Sequence, residues 1–235
     1  MILFFEDFTN YKKGELDEDK WQYQYGGHGW GNKELQYYRK SPQNLFIDHE
    51  GLHLKAIKED CGNCHYTSSR IVSRQAFRYG KISFELKIPK TLGTWPALWM
   101  LGEEIRTKHN WPACGEIDLM EAVGRMQNKV HISLHSKNFN HVLGNHPTHV
   151  LSLAEKEFHE FIFTWNHQGI KAEIDGQSYD LFTKTSDNHD DWPFDQPHFF
   201  IINLAIGGFF GGEVDPLFKE DEMIVKYLKI ESLEQ

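Results

Sequence analysis

The sequence predicts an all-β fold in one domain spanning residues 1–235. Three observations predict it. Apolar and polar residues alternate with period two along many segments, and helical periodicity is nearly absent. Turn signals recur roughly every 8 to 15 residues, without the strand–helix alternation of a parallel sheet, which favours a sandwich or a barrel. A chain of 235 residues can bury about 70–75 % of its extended surface, so its core needs no disulfide staple. No internal repeat, low-complexity segment, charge block or Pro/Ser-rich linker divides it.

The elements follow in order. Leu52, Leu54 and Ala56 alternate as a strand, and Asp48 to Gly51 before them reads as a hairpin turn. That reading disposes of His49-Glu50-Gly51-Leu52-His53 as a zinc-protease H-E-x-x-H motif, which needs both His on one helix face. Ile82, Phe84, Leu86 and Ile88 alternate with Lys81, Ser83, Glu85 and Lys87 as a half-buried strand. Phe161, Phe163 and Trp165 do the same, followed by Ile170, Ala172 and Ile174 and then a hairpin signal at Asp175-Gly176. His198 to Ile206 is apolar on both faces, as in a strand covered on both sides. Gly207-Gly208 and Gly211-Gly212 stop it.

Lys and Arg number 25 against 34 Asp and Glu, a formal charge of −9, and this acidic balance lacks the basic footprint of a nucleic-acid binder. The longest apolar run, Phe199 to Ile206 broken by Asn203, is far short of the ~20 residues of a membrane span. The start Met-Ile-Leu-Phe-Phe-Glu-Asp-Phe does not read as a signal peptide. Either the protein stays inside the cell or a leader precedes this numbering. Cys61, Cys64 and Cys114 make no disulfide framework, and Cys61-Gly-Asn-Cys64 lacks the second pair or strand-to-helix setting of a metal or redox motif. It reads as a surface loop, with a loop disulfide or an adventitious metal site as the alternatives.

The most informative stretch is Glu116-Ile117-Asp118-Leu119-Met120-Glu121. On a helix, Glu116 and Asp118 would lie about 200° apart and share no site. On a strand they share a face, opposite Ile117 and Leu119. Glu121 has the wrong parity, but the apolar positions also change phase at Leu119-Met120. A one-residue β-bulge there explains both facts and brings three carboxyls to one side. Retaining glycoside hydrolysis uses two carboxyls about 5–5.5 Å apart, one as nucleophile and one as acid/base. Crowded carboxyls also raise at least one pKa, as a general acid requires. A calcium site and a solvated acidic edge remain open on spacing alone.

Of the 17 Phe, 9 Tyr and 7 Trp, the Phe fall mainly on alternating core positions. Trp30, Trp95, Trp99 and Trp111 sit beside Gly, Pro or Asn, as walls of a cleft would. Flat aromatic faces suit sugar rings, although Trp is also commonly just buried. His131, Ser133 and His135 share a strand face opposite Ile132 and Leu134. His131 and His135 could pair on zinc, but a strand face bordering a cleft is the reading adopted.

The hexapeptide resembles the E-x-D-x-x-E signature of glycoside hydrolase family 16, in its laminarinase-like branch. The resemblance runs the length of the chain, through Trp30–Tyr38, Tyr66–Ile71, Thr94–Leu101 and Asn203–Gly208. It implies a β-jelly-roll sandwich of two antiparallel sheets with a concave substrate cleft. It implies Glu116 as nucleophile, Glu121 as general acid/base and Asp118 as the carboxyl that orients Glu116. Substrate-binding roles carry over to Asn32, Arg70, Trp95, Trp99, Trp111 and His135. The implied activity is retaining, endo-acting cleavage of β-1,3-glucan or mixed β-1,3/1,4-glucan. A relative acting on agar, porphyran or carrageenan, or a non-catalytic carbohydrate-binding sandwich, are the alternatives. Partners are expected to be polysaccharide or oligosaccharide only, with no nucleic acid and no membrane span, acting as a monomer outside the cell or in its envelope. Many relatives bind structural calcium through an Asp in a V-D-Y segment. Here Val225-Lys226-Tyr227 puts a cation in that place, which speaks against calcium, and no cofactor or metal ligand is expected to be required.

Overall fold

The alternating segments form strands, and the strands sort into two sheets in the computed structural model, which describes residues 1–11 and 14–233. One sheet has seven strands in the order Thr148–Ser152, Lys129–His135, Glu116–Glu121, Thr94–Gly102, His198–Ile206, Arg70–Phe77 and Trp21–Tyr23. The other has ten, with Glu220–Glu231 flanked by Gly80–Lys87 and Leu52–Ile57 near its middle. The expectation of purely antiparallel sheets needs one correction. Gln36–Tyr38 runs parallel to Tyr66–Ser68, because the long connection between them brings the chain back in the same direction.

The core lies between the sheets. Leu98, Met100, Ile117, Ile132, Leu134, Phe200, Ile202 and Leu204 of the seven-stranded sheet meet Ile82, Phe84, Phe161, Phe163, Trp165, Val225 and Leu228 of the other. Phe84 stacks on Phe161 with ring centroids 4.9 Å apart. The expected strands are all present, and His198–Ile206 is buried along its whole length. The turn Asp175-Gly176 has φ of 51° and 81°, the left-handed pair that a two-residue hairpin requires. Asp48 to Gly51 is likewise a turn, closed by hydrogen bonds between Asp48 and Gly51. It joins Leu45–Ile47 to Leu52–Ile57, so the H-E-x-x-H residues form no helix.

With one face of the seven-stranded sheet committed to the core, the period-2 rule leaves Trp95, Ala97, Trp99 and Leu101 on its outer face. A second apolar cluster forms there, in which Leu101, Cys114, Phe199, Ile201 and Val72 carry Trp99, Ile105 and Trp111. The turn preceding Glu116 packs hard against this strand: a Cβ on Gly102 would lie 1.8 Å from the Cys114 carbonyl oxygen. Gly102→Ala is therefore expected to lower stability by about 1–3 kcal/mol through backbone displacement. A fall in the urea midpoint checks this, and an unchanged midpoint would contradict it.

Candidate active site

The backbone register shows how three carboxyls reach one face. Asp118 pairs with Trp99 and Met120 with Leu98, so two steps on one strand face a single step on its neighbour. On the other side Asp118 pairs with Ser133 and Glu121 with His131, three steps against two. The extra residue falls at Leu119-Met120, where the sequence places it. Leu119 and Met120 both enter the core, at 1 % and 0 % exposure, and the reset phase returns Glu121 to the outer face. Cross-strand pairing then aligns Arg70, Asn203, Ala97, Glu121 and His131 in one row. Trp99, Asp118 and Ser133 form the next row, and Leu101, Glu116 and His135 the one after.

Each glutamate receives an indole. Trp111 Nε1–H donates to Glu116 Oε2 at 3.0 Å, and Trp95 Nε1–H donates to Glu121 Oε1 at 2.9 Å. His135 Nε2 stands 3.1 Å from Asp118 Oδ2 and 3.7 Å from Glu116 Oε1. The approach to Asp118 makes no hydrogen bond, and Asp118 Oδ2 is buried without a hydrogen-bonding partner among the described residues. The backbone N–H of His141 donates to His135 Nδ1 at 3.3 Å. In the neutral imidazole the proton therefore sits on Nε2, toward the carboxyls.

Burial pushes Glu116 up to about 8, with the Asp118 and Glu121 charges adding to it and His135 and the Trp111 N–H opposing it. Burial alone pushes Asp118 up to about 8. Burial and then Asp118 push Glu121 up to about 8, against the Trp95 hydrogen bond. Three such groups titrate as a set rather than singly. At neutral pH the set retains protons, and it can hold one carboxyl charged beside another that is neutral.

Beneath the indoles lies a network that sequence reading left without roles. Trp99 Nε1–H donates to Asn203 Oδ1 at 2.7 Å, and Asn203 Nδ2–H donates to the Tyr38 hydroxyl at 3.1 Å. Tyr38 donates to Glu34 Oε2 at 3.2 Å, and Gln36 donates to the same oxygen at 2.6 Å. Burial raises the Glu34 pKa, opposed by Gln36 and Arg70. The period-2 sequence Glu34, Gln36, Tyr38 signals a shared face, but its link to Asn203 crosses 165 positions and has no local signature. Asn32 turns inward, its amide 3.4 Å from Glu34 Oε1. Arg70 is clamped between rings, its guanidinium 4.7 Å from Trp30 and 4.9 Å from Trp99. His141 and His146 also join the site unforeseen, with His146 stacked on His135 at 4.8 Å and His141 5.0 Å from Trp111. Burial and the neighbouring His135 push His146 down to about 4, which leaves it neutral.

The predicted residues Glu116, Asp118, Glu121, Trp95, Trp99, Trp111, Arg70, Asn32 and His135 thus gather around one face. Trp30 joins them through the Arg70 guanidinium and His131 shares the face, but the other sequence candidates take no part. His131 packs its ring against Phe210 at 4.8 Å, whereas His135 turns to the carboxyls, so the two do not form a zinc pair. Cys61 and Cys64 face each other across a short bridge as free thiols, with Cys64 buried. Burial pushes the Cys114 thiol up to about 12, which keeps it unreactive. Lys226 Nζ lies 2.7 Å from Glu85 Oε1 and 4.0 Å from the Phe158 ring. This fixed ammonium does not fit a calcium ligand.

Comparison with known proteins agrees with this geometry. The profile of glycosyl hydrolases family 16 matches residues 29–227. A β-glucanase from Rhodothermus marinus is 36 % identical over 241 residues, covering 97 % of this chain and 84 % of that protein. The laminarinase structure from Flavobacterium sp. UMI-01 superposes with a TM-score of 0.88 at 36 % identity, covering 98 % of this chain and 99 % of that one. The laminarinase structure from Rhodothermus marinus does so with a TM-score of 0.92 at 33 % identity, over 100 % of this chain and 98 % of the other. With most of its length matched in both sequence and shape, the chain belongs to glycosyl hydrolase family 16.

Proposed function

We propose that this protein hydrolyses β-1,3-glucan, or mixed β-1,3/1,4-glucan, at internal linkages with retention at the anomeric carbon. The observation that carries the reading is the bulge at Leu119-Met120, which sets Glu116 and Glu121 on one face, each oriented by an indole N–H. Similarity to proteins named β-glucanase and laminarinase supports the substrate class.

The two glutamates share most of their surroundings: the Asp118 charge raises both and His135 favours the ionised form of both. They differ in one charged neighbour each: Glu121 has the negative field of Glu34, and Glu116 is coupled to the Arg70 guanidinium. We assign the charge of the set to Glu116 and the proton to Glu121, the roles that membership of the family implies, and that difference in neighbours supports it. Glu116 attacks the anomeric carbon as Glu121 protonates the departing glycosidic oxygen, giving a glycosyl ester on Glu116. Glu121, now a carboxylate, takes a proton from water as that water attacks the same carbon and releases Glu116. Asp118, buried beside them with one oxygen unpartnered, holds a proton next to the charged Glu116. Trp95, Trp99 and Trp111 have their N–H groups committed, so their ring faces are fixed in orientation for sugar packing. Asn32 and Arg70 supply hydrogen bonds to hydroxyls. A polymeric glucan does not cross a bilayer, which supports action outside the cell or in its envelope.

A product profile on laminarin, lichenan, agarose and carrageenan tests this. Laminarin is expected to break down to a ladder of oligosaccharides, with the β-anomer appearing first by NMR. Intact laminarin alongside cleaved agarose or carrageenan would overturn the substrate class, and an initial α-anomer would overturn retention.

A further inference from the structure

Away from the carboxyl strand, Glu104, His109 and His189 converge from two separate segments. Glu104 belongs to the short 3-10 turn Glu103–Arg106, His109 to the loop that follows, and His189 to the segment between Thr183 and Pro193. Glu104 Oε2 lies 3.6 Å from His109 Nε2 and 3.3 Å from His189 Nε2. The imidazole centroids are 4.9 Å apart, and the three donor atoms all lie within 4.8 Å of one another. Tetrahedral zinc with ligands at about 2.0–2.2 Å separates neighbouring donors by about 3.3–3.6 Å. The two distances to Glu104 match that edge.

A second observation points the same way. Glu104 Oε2 is buried and has no hydrogen-bonding partner among the described residues, although two imidazole nitrogens stand 3.6 and 3.3 Å from it. An unpartnered buried carboxylate oxygen is costly, and a cation between the three side chains satisfies it. The nearby Lys108 ammonium does not, since it lies 3.6 Å from the other oxygen, Oε1, and its own side chain is largely exposed.

We propose that Glu104, His109 and His189 bind a zinc-class divalent cation that ties together the loops beside the carboxyl site. Two imidazoles and one carboxylate suit a borderline metal, and the half-exposed imidazoles leave a fourth position open to water. The metal-free protein occupies His189 Nε2 otherwise: its N–H donates to the Ala113 carbonyl at 3.1 Å. Coordination exchanges that bond for the metal and moves the proton to Nδ1, so the imidazole stays neutral.

The consequence is mechanical. Trp111, which donates to Glu116, lies two residues beyond His109. The His189 segment is itself joined to the loop after His135, through Asp190 to Lys137 at 2.6 Å and Asp191 to Asn138 at 2.6 Å. One ion at this position restrains three segments around the face.

The test is zinc titration by calorimetry on the full chain after chelator treatment, with X-ray anomalous diffraction to locate the ion. The wild type is expected to bind one zinc between these residues and to gain several degrees in melting temperature at saturating zinc. Glu104→Gln, His109→Ala and His189→Ala are each expected to weaken zinc at least about tenfold and to lose the thermal gain, while Glu116→Ser retains both. Undiminished binding in all three ligand variants would overturn the proposal. So would no binding in the wild type, or anomalous density confined to Glu116, Asp118 and His135 or to Asp48, Glu50 and His53. Circular dichroism of each metal-free variant confirms that any loss reflects the ligand and not unfolding.

Discussion

Glu116→Ser is expected to hydrolyse laminarin at least about 10⁴-fold more slowly than the wild type while still binding the oligosaccharides. The serine hydroxyl is too short to reach the anomeric carbon and, as an alkoxide, too basic to leave from it, so both chemical steps fail together. Binding survives because Trp95, Trp99 and Arg70 are held by partners other than Glu116. The same substitution is expected to stabilise the fold. Glu116 belongs to a set of buried carboxyls each pushed up to about 8, Glu116 from an ordinary 4.5, so the folded set holds protons that the unfolded chain releases. Its stability contribution is complete below about pH 4.5 and is lost as pH rises through about 8. Serine carries no such penalty, so the variant should gain about 1–3 kcal/mol over wild type at pH 8 and little at pH 4.5. Chemical denaturation at the two pH values, alongside isothermal titration with laminarioligosaccharides, reads both effects. Full activity in the variant would remove Glu116 from the nucleophile role. A stability gain confined to pH 4.5 would show that its carboxyl is not strained by burial.

How far the sequence disclosed this site depends on the range of each interaction. The bulge was legible because it leaves two local traces, a parity break at Glu121 and adjacent apolar residues at Leu119-Met120, and both lie within six residues. Period-2 patterns placed the strands for the same reason. The indole-to-carboxylate bonds were not legible. Trp95 reaches Glu121 across a strand pair and Trp111 reaches Glu116 around a turn, and neither spacing has a periodicity to detect. Resemblance supplied those tryptophans as substrate-binding residues, whereas the structure gives each a second task on a carboxyl or on Asn203. The Glu34–Gln36–Tyr38 face could have been read from alternation, but its purpose becomes visible only when Asn203 arrives from the far end of the chain. His141 and His146 left no trace because they lie on an irregular loop, where no period constrains which side chain points inward. The parallel pair of Gln36–Tyr38 with Tyr66–Ser68 escaped for a related reason: strand direction depends on the route of the intervening chain, not on the strand's own pattern.

Glu121→Gln separates the two halves of the reaction. Gln keeps the size of Glu and can still accept the Trp95 N–H through its amide oxygen, so the face should remain in place. It can neither donate the proton needed by a sugar leaving group nor later draw one from water. On laminarin, turnover is expected to fall by about 10²–10⁴, the usual contribution of general acid–base catalysis. On an aryl β-glucoside oligosaccharide with a dinitrophenolate leaving group, the first step needs no acid and should proceed near the wild-type rate. The second step still lacks its base, so the product should be a burst of phenolate equal to the enzyme present, followed by slow release. Azide, which needs no deprotonation, is expected to restore turnover and yield a β-glycosyl azide. The pH profile provides an independent check. In the wild type, kcat/KM on laminarin should fall as pH rises past about 8, because Glu121 then loses the proton it must donate. In Glu121→Gln with the activated substrate, burst formation should persist above that pH, because the group responsible for the alkaline fall has gone. Equal losses on sugar and dinitrophenolate leaving groups, with no burst and no azide product, would assign the acid/base role to some residue other than Glu121.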